Sequence, residues 1–242
     1  MTYRALLLDF YGTLAESPDW GPSWQEVLAE FGIGLPDAVR DRWWGDGIDG
    51  VEHDEHSQSR DHYVAWQRAR MSGLLSDCGV PDESHDPIID RLHSIGAQRR
   101  IFAYDEVATV LAALRDRGLT LAICSNSDWD LAEAVEAAGL LDLVDVLVSS
   151  AWVGARKPHP RIYAHTLERI GVAPEEVLFV GDTWGPDVDG PLAAGMTPVY
   201  VRRAHRERDL TAPVDAHDHQ VARLPDLHGL LDLLDPALTG RP

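Results

Sequence analysis

Short apolar runs alternate with longer amphipathic stretches over most of this chain. Five runs, at 5–9, 119–124, 144–148, 177–181 and 197–201, are nearly all apolar and too short for helices, so they read as strands. Between them, Asp105 to Arg117, Asp128 to Ala138, Pro160 to Ile170 and Asp187 to Ala194 space their apolar residues at the helical period. Asp105 and Asp128 stand where N-caps belong, and Gly118, Gly139, Gly171 and Gly195 fall where helices should stop. Strand and helix alternating in this way predict an α/β fold with a Rossmann-like parallel sheet.

Residues 16–100 break the rhythm. They hold no convincing strand, several helical stretches, and Trp20, Trp24, Trp43, Trp44 and Trp66. The segment is too long for an ordinary connection. It predicts an all-helical cap (16–100) inserted into an α/β core made of 1–15 and 101–242. The tail, from about 203, offers one edge strand near Ala216 to Ala222 and a short helix at Asp226 to Leu234.

Charge narrows the partners. With 21 basic and 40 acidic residues among 242, the net charge is −19. Such a polyanion is repelled by nucleic acid and by anionic lipid, which leaves a small molecule as the expected partner. No apolar run approaches a membrane span, and Met1-Thr2-Tyr3-Arg4 leads straight into a strand without a signal-peptide layout. Cys78 and Cys124 are far apart, and Cys124 lies in an apolar run, so both are expected as free thiols. A cytoplasmic protein is expected, either monomer or homodimer.

One lysine remains among many arginines: Lys157, in Ala155-Arg156-Lys157-Pro158-His159-Pro160. Lys is a compact point charge where Arg is a wide fork, so its retention suggests a crowded pocket holding carboxylates or phosphate. In an open parallel sheet, ligands bind beyond the carboxyl ends of the strands. Those ends carry Asp9-Phe10-Tyr11-Gly12-Thr13-Leu14, Ser125-Asn126-Ser127-Asp128 and Gly181-Asp182-Thr183-Trp184-Gly185-Pro186-Asp187. Singly, each has a bland reading: Asp9 as a turn residue, Ser125 and Asn126 as part of a helix start, Asp187 as a cap.

Together, and in this order, strand-Asp-x-x-Gly-Thr, strand-Ser-Asn, Lys-Pro and strand-Gly-Asp-x-x-x-x-Asp resemble the four motifs of the haloacid dehalogenase superfamily. The helical insert falls where that superfamily places its cap. The resemblance implies a hydrolase whose nucleophile is Asp9, with Tyr11 and Thr13 in the same catalytic motif and Lys157 pinning Asp9 and the transferring group. Ser125 and Asn126 would bind substrate. In the phosphatase branch, Mg²⁺ would be held by Asp9, the Tyr11 carbonyl and Asp182, with Asp187 orienting Lys157 or a metal-bound water.

Phosphate and carbon–halogen chemistry remain in competition. Tyr11 stands where the phosphatases carry a second Asp, and Tyr-Gly-Thr-Leu, Ser125-Asn126 and Tyr163 match the metal-free 2-haloacid dehalogenases. That branch, however, lacks an Asp at the position of Asp182. Asp9, Asp182 and Asp187 facing one lysine leave a local charge of about −2, and each close carboxylate pair costs on the order of 4 kcal/mol at an effective dielectric near 20. A divalent cation removes that cost, which favours a phosphorylated over a halogenated substrate. A non-catalytic binding protein, with Tyr11 as its symptom, is the third reading. Phosphonoacetaldehyde cleavage is excluded, because the insert has no lysine.

Three further features carry less. His53, His56 and His62 hint at a structural metal, but the polar segment without cysteine favours substrate contacts by His56, Ser57, Ser59, Arg60 and His62 instead. The tryptophans read as cap core. Arg202, Arg203, Arg206 and Arg208 read as a solvated basic run.

Overall fold

The computed structural model describes residues 3–19, 21–44, 50–98, 100–204 and 221–235. Trp20, Arg206, Arg208 and most of the edge strand expected near Ala216 lie outside them. Six parallel strands form the sheet: β1 (Ala5–Leu8), β4 (Thr120–Ser125), β5 (Val146–Ser149), β6 (Val177–Gly181), β7 (Thr197–Val201) and β8 (Ala222–Leu224), in the order β5-β4-β1-β6-β7-β8. The α/β expectation holds, with strand ends shifted by one or two residues. A separate antiparallel ribbon, which the sequence did not disclose, pairs β2 (Ala15–Glu16) with β3 (Phe102–Ala103). It joins the chain where it leaves the sheet to where it returns.

Each strand alternates its side chains between two apolar layers. Leu6, Leu8, Leu121, Ile123, Leu178, Val180, Val199 and Val201 meet α5 (Val107–Asp116) and α6 (Leu131–Ala137) on one face. Ala5, Leu7, Ala122, Cys124, Val177 and Phe179 meet α7 (Ser150–Val153) and α8 (Pro160–Ile170) on the other. Pro160 at the helix start and Gly171 at its end bound α8 where the pattern placed it. Gly118, Gly139, Gly171 and Gly195 all have φ between +65° and +83°, which lets the chain turn out of its helices.

Two expected caps fail. Helix α5 starts after Glu106 and α6 after Asp130, and neither side chain caps. Asp128 is drawn away instead, because its Oδ1 accepts from Tyr63 Oη at 3.1 Å and Gln67 Nε2 at 2.7 Å. The last predicted helix also resolves differently, as a π turn over Gly185–Asp189 followed by α9 (Gly190–Ala193).

The insert is helical: α1 (Trp24–Glu30), α2 (Asp37–Trp44), α3 (Arg60–Asp77) and α4 (His85–Gln98). A capping box between Ser23 and Glu26 starts α1, and Ser59 Oγ accepts from His62 N to start α3. Val27, Leu28, Leu74, Leu75, Ile88, Ile89, Leu92 and Ile95 form an apolar cluster with no member from the sheet. Trp24 and Trp43 pack at its edge, whereas Trp66 stacks on His53 and His56. Among the described residues no helix is long and apolar enough to cross a membrane.

Candidate active site

Strand order builds the site. β1 lies between β4 and β6, so the residues just past their ends are neighbours: Asp9, Ser125 and Asp182. The chain moves outward on one side of β1 through β4 and β5, and on the other through β6 and β7. That reversal makes the crevice in which open sheets bind ligands. The Asp9 amide still donates to Val180 O at 2.8 Å, which fixes the start of the following turn. Gly12, at φ +88°, folds that turn back so that its amide donates to Ala15 O at 2.8 Å.

Lys157 lies at the centre with 1% of its surface exposed. Its Nζ donates to Asp9 Oδ1 at 2.8 Å and to Asp187 Oδ1 at 2.6 Å, and sits 5.0 Å from the Phe179 ring centre. Asp187, equally buried, accepts from Thr183 N at 2.9 Å through Oδ2. Ligand oxygens of Asp9, Asp182 and Asp187 come within 4.8 Å of one another, in the only such group of three among the described residues. Burial opposes the Lys157 ammonium, yet Asp187 and Asp9 beside it hold its pKa well above the usual range. Burial likewise pushes the Asp187 carboxyl up to about 7, against the pull of Lys157 and with a push from Asp9.

The remaining predicted residues have distinct placements. Thr13 Oγ1 is 3.5 Å from Asp9 Oδ2, a marginal hydrogen bond. Ser125 is buried at the end of β4. Asn126, expected on substrate, turns its amide to the Lys157 main chain: Nδ2 donates to the carbonyl at 2.9 Å, and Oδ1 accepts from the amide at 2.6 Å. Tyr11 is half-buried on the turn, with its ring edge to Phe10. Tyr163 donates to Pro186 O at 2.6 Å and so supports the Asp187 turn. Cys124 is buried behind the site, where burial pushes its thiol up to about 11 and leaves it unreactive.

Sequence reasoning missed the contact between insert and site. Residues 50–53 run antiparallel to 154–157: Gly50 N donates to Lys157 O at 3.1 Å, Arg156 N to Val51 O at 3.0 Å and His53 N to Gly154 O at 2.6 Å. The insert therefore holds the main chain of the Lys157 segment directly. Nothing in the local pattern at 50–53 signals a strand. His53 is buried, His56 stacks on Trp66, and Arg60 pairs with Asp130 at 2.6 Å.

This geometry has known counterparts. Residues 3–195 match the haloacid dehalogenase-like hydrolase family model. Phosphoglycolate phosphatase of Escherichia coli is 30% identical over 204 residues, covering 81% of this chain and 80% of that protein. Among solved structures, a predicted phosphoglycolate phosphatase from Haemophilus somnus superposes with a TM-score of 0.67 at 18% identity, covering 96% of this chain and 98% of that one. The 2-haloacid dehalogenase of Pseudomonas syringae superposes at 0.64 with 20% identity, over 96% and 98% of the two chains. At those identities the likeness is one of fold alone.

Proposed function

The chain belongs to the haloacid dehalogenase-like hydrolases, and from that premise we propose a Mg²⁺-dependent phosphatase acting on a small organic phosphate. One observation carries the reading: three carboxylates converge, and a single ammonium bonds two of them. Lys157 offsets one charge, and a divalent cation offsets the rest. The donors are hard carboxylate oxygens of the kind Mg²⁺ takes, and they are close enough to share an ion. Asp9, Asp182 and the Tyr11 carbonyl would hold it, with Asp187 behind them. When bound, the cation would neutralise charge on the transferring phosphoryl oxygens.

In this reading Asp9 attacks phosphorus through Oδ2, because Oδ1 is held by Lys157. A P–O bond to Asp9 forms as the bond to the alcohol oxygen breaks, and the departing alkoxide takes a proton from water. Water then attacks the aspartyl phosphate, releasing inorganic phosphate and restoring the carboxylate. Lys157 holds and aims Asp9, Ser125 receives a phosphoryl oxygen, and Thr13 braces the nucleophile. Asn126 acts through the Lys157 main chain and is a positioning residue. Residues 16–100 serve as the cap, and similarity to the phosphoglycolate phosphatase of Escherichia coli adds support for phosphate as the group transferred.

Tyr11 keeps a second reading alive, a metal-free dehalogenase in which Asp9 attacks carbon. A phenol with a pKa near 10 is a poor base at neutral pH, so Tyr11 serves at most as a hydrogen-bond donor to a leaving group. The deciding experiment assays p-nitrophenyl phosphate with Mg²⁺ and with EDTA, and 2-chloropropionate beside it. Phosphate release abolished by EDTA is expected. Halide release indifferent to EDTA would replace this reading with the second, and silence in both assays would leave a binding protein.

A further inference from the structure

Most of the arginines in and around the insert have acidic partners. Arg40, Arg42, Arg60, Arg68, Arg91 and Arg161 each contact a carboxylate. With 40 acidic residues against 21 basic ones, partners are abundant. Arg70 and Arg156 are exceptions. Neither side chain has a carboxylate or hydrogen-bond partner among the described residues, although both are half-buried. The Nε atom of Arg156 is enclosed and unpaired.

A chain of contacts connects these two residues from different parts of the molecule. Arg156 precedes Lys157 and is held by Val51 O. Arg70 lies on α3, with its guanidinium 5.0 Å from the Trp66 ring centre and 5.9 Å from that of Trp43. Trp66 in turn stacks at 4.6 Å on His53, whose amide is bonded to Gly154. His53 is 3% exposed, and its Nε2 is enclosed without a partner, while Nδ1 is engaged with Ser57 Oγ at 3.0 Å. After burial, the charge of Arg156 is what most lowers the pKa of Arg70, so the two cations repel each other. Like charges gathered and half-desolvated without counter-ions cost stability, and an incoming anion would relieve that cost.

We infer that Arg70 and Arg156, linked through Trp66 and His53, form a second anion subsite on the segment that carries Lys157. The substrate therefore carries a carboxylate or a second phosphate in addition to the phosphoryl group at Asp9. This deepens the phosphatase reading and rests on it for the position of the first anion. The charged fork of Arg suits either oxyanion. Arg70 comes from the insert and Arg156 from the loop of the nucleophile's partner, so binding such a substrate also holds insert and sheet together.

The test measures affinity, not turnover. In the full-length Asp9→Asn protein with Mg²⁺, calorimetric titration compares ω-phosphonooxy carboxylic acids of two to four carbons with ethyl, propyl and butyl phosphate. A parallel series of alkanediol bisphosphates distinguishes phosphate from carboxylate as the second group. At least one doubly anionic series should bind about tenfold more tightly than its alkyl phosphate of equal length. Arg70→Gln and Arg156→Gln should each remove most of that gap while leaving alkyl phosphate affinity within about twofold. Arg70→Lys, which keeps the charge, should retain part of the preference and guards against a mere folding defect. Equal affinity for singly and doubly anionic esters would overturn the subsite, as would Gln variants that weaken both classes alike. Phosphate release by the unaltered enzyme is scored separately. Its absence would refute the phosphatase reading and leave the affinity comparison to decide the subsite.

Discussion

At the scale of single residues, the site depends on space as much as on charge. A Cβ on Gly181 would lie 2.3 Å from Asp187 Cγ and 2.4 Å from its Oδ2. Gly181 is not in the left-handed region, so its role is to let the Asp187 carboxylate lie flat against the end of β6. Gly181→Ala should displace Asp187 from Lys157 and Thr183. Overpacking of this kind costs about 1–3 kcal/mol, and kcat should fall roughly 100-fold with the lost geometry. Urea unfolding and steady-state kinetics read the two effects, and an unchanged kcat would show that the carboxylate relocates freely. Tyr11 invites the opposite experiment. General acid–base catalysis contributes about 10²–10⁴-fold, and a phenol supplies little of it at neutral pH. Tyr11→Asp should therefore raise kcat on p-nitrophenyl phosphate at least about tenfold. An unchanged or lower rate would mean that the tyrosine is not what limits turnover.

At the scale of elements, long-range pairings decide what local pattern leaves open. Arg203, which follows β7, reads in the sequence as part of a solvated basic run. It is instead buried, donating to Thr13 O at 2.8 Å and Glu106 Oε1 at 2.7 Å, with its guanidinium 3.5 Å from the Tyr104 ring centre. One side chain thus joins the nucleophile turn, the end of the ribbon and the start of α5. Arg203→Met leaves the partly buried Glu106 carboxylate with only the Leu227 amide, at 3.4 Å, among its described partners, a change that costs about 2–3 kcal/mol. Chemical denaturation measures it, and a loss below about 1 kcal/mol would place Glu106 in water. The docked segment 50–53 makes a prediction in pH. Burial, then the charge of Arg156, lowers the His53 pKa from 6.5 to about 4. The unfolded chain takes up this proton first as pH falls, so stability is full above about 6.5 and declines toward 4. The loss attributable to this group approaches 3 kcal/mol. Melting temperature against pH should fall less steeply in His53→Gln than in the unaltered protein. Parallel profiles would assign the acid sensitivity to other groups.

At the scale of the whole molecule, periodicity was legible wherever one element decides its own state. Pro160 to Ile170 is bounded by its own Pro and Gly and is found unaltered, because both signals are local. The clustering of Asp9, Lys157, Asp182 and Asp187 was also readable, since Asp9 and Asp182 directly follow strands whose ends the apolar runs mark, and Lys157 and Asp187 lie on the neighbouring connections. What was hidden depends on partners remote in sequence: Asp128 given up to Tyr63 and Gln67, Asn126 to Lys157, Arg203 to Glu106, residues 50–53 to 154–157. The collected acids then make a molecule-wide prediction. If a divalent cation binds the folded site and not the open chain, it stabilises by mass action, by about 2.7 kcal/mol at 100 times its dissociation constant. For a chain of this size each kcal/mol moves the midpoint by about 2–4 °C, so Mg²⁺ should raise the melting temperature by roughly 5–10 °C and EDTA should reverse it. Asp182→Asn removes one of the three carboxylates without touching the Lys157 bonds, and should abolish most of the shift. A melting temperature indifferent to Mg²⁺ would mean that Lys157 alone balances the acids, and the metal-free chemistry suggested by Tyr11 would then take precedence.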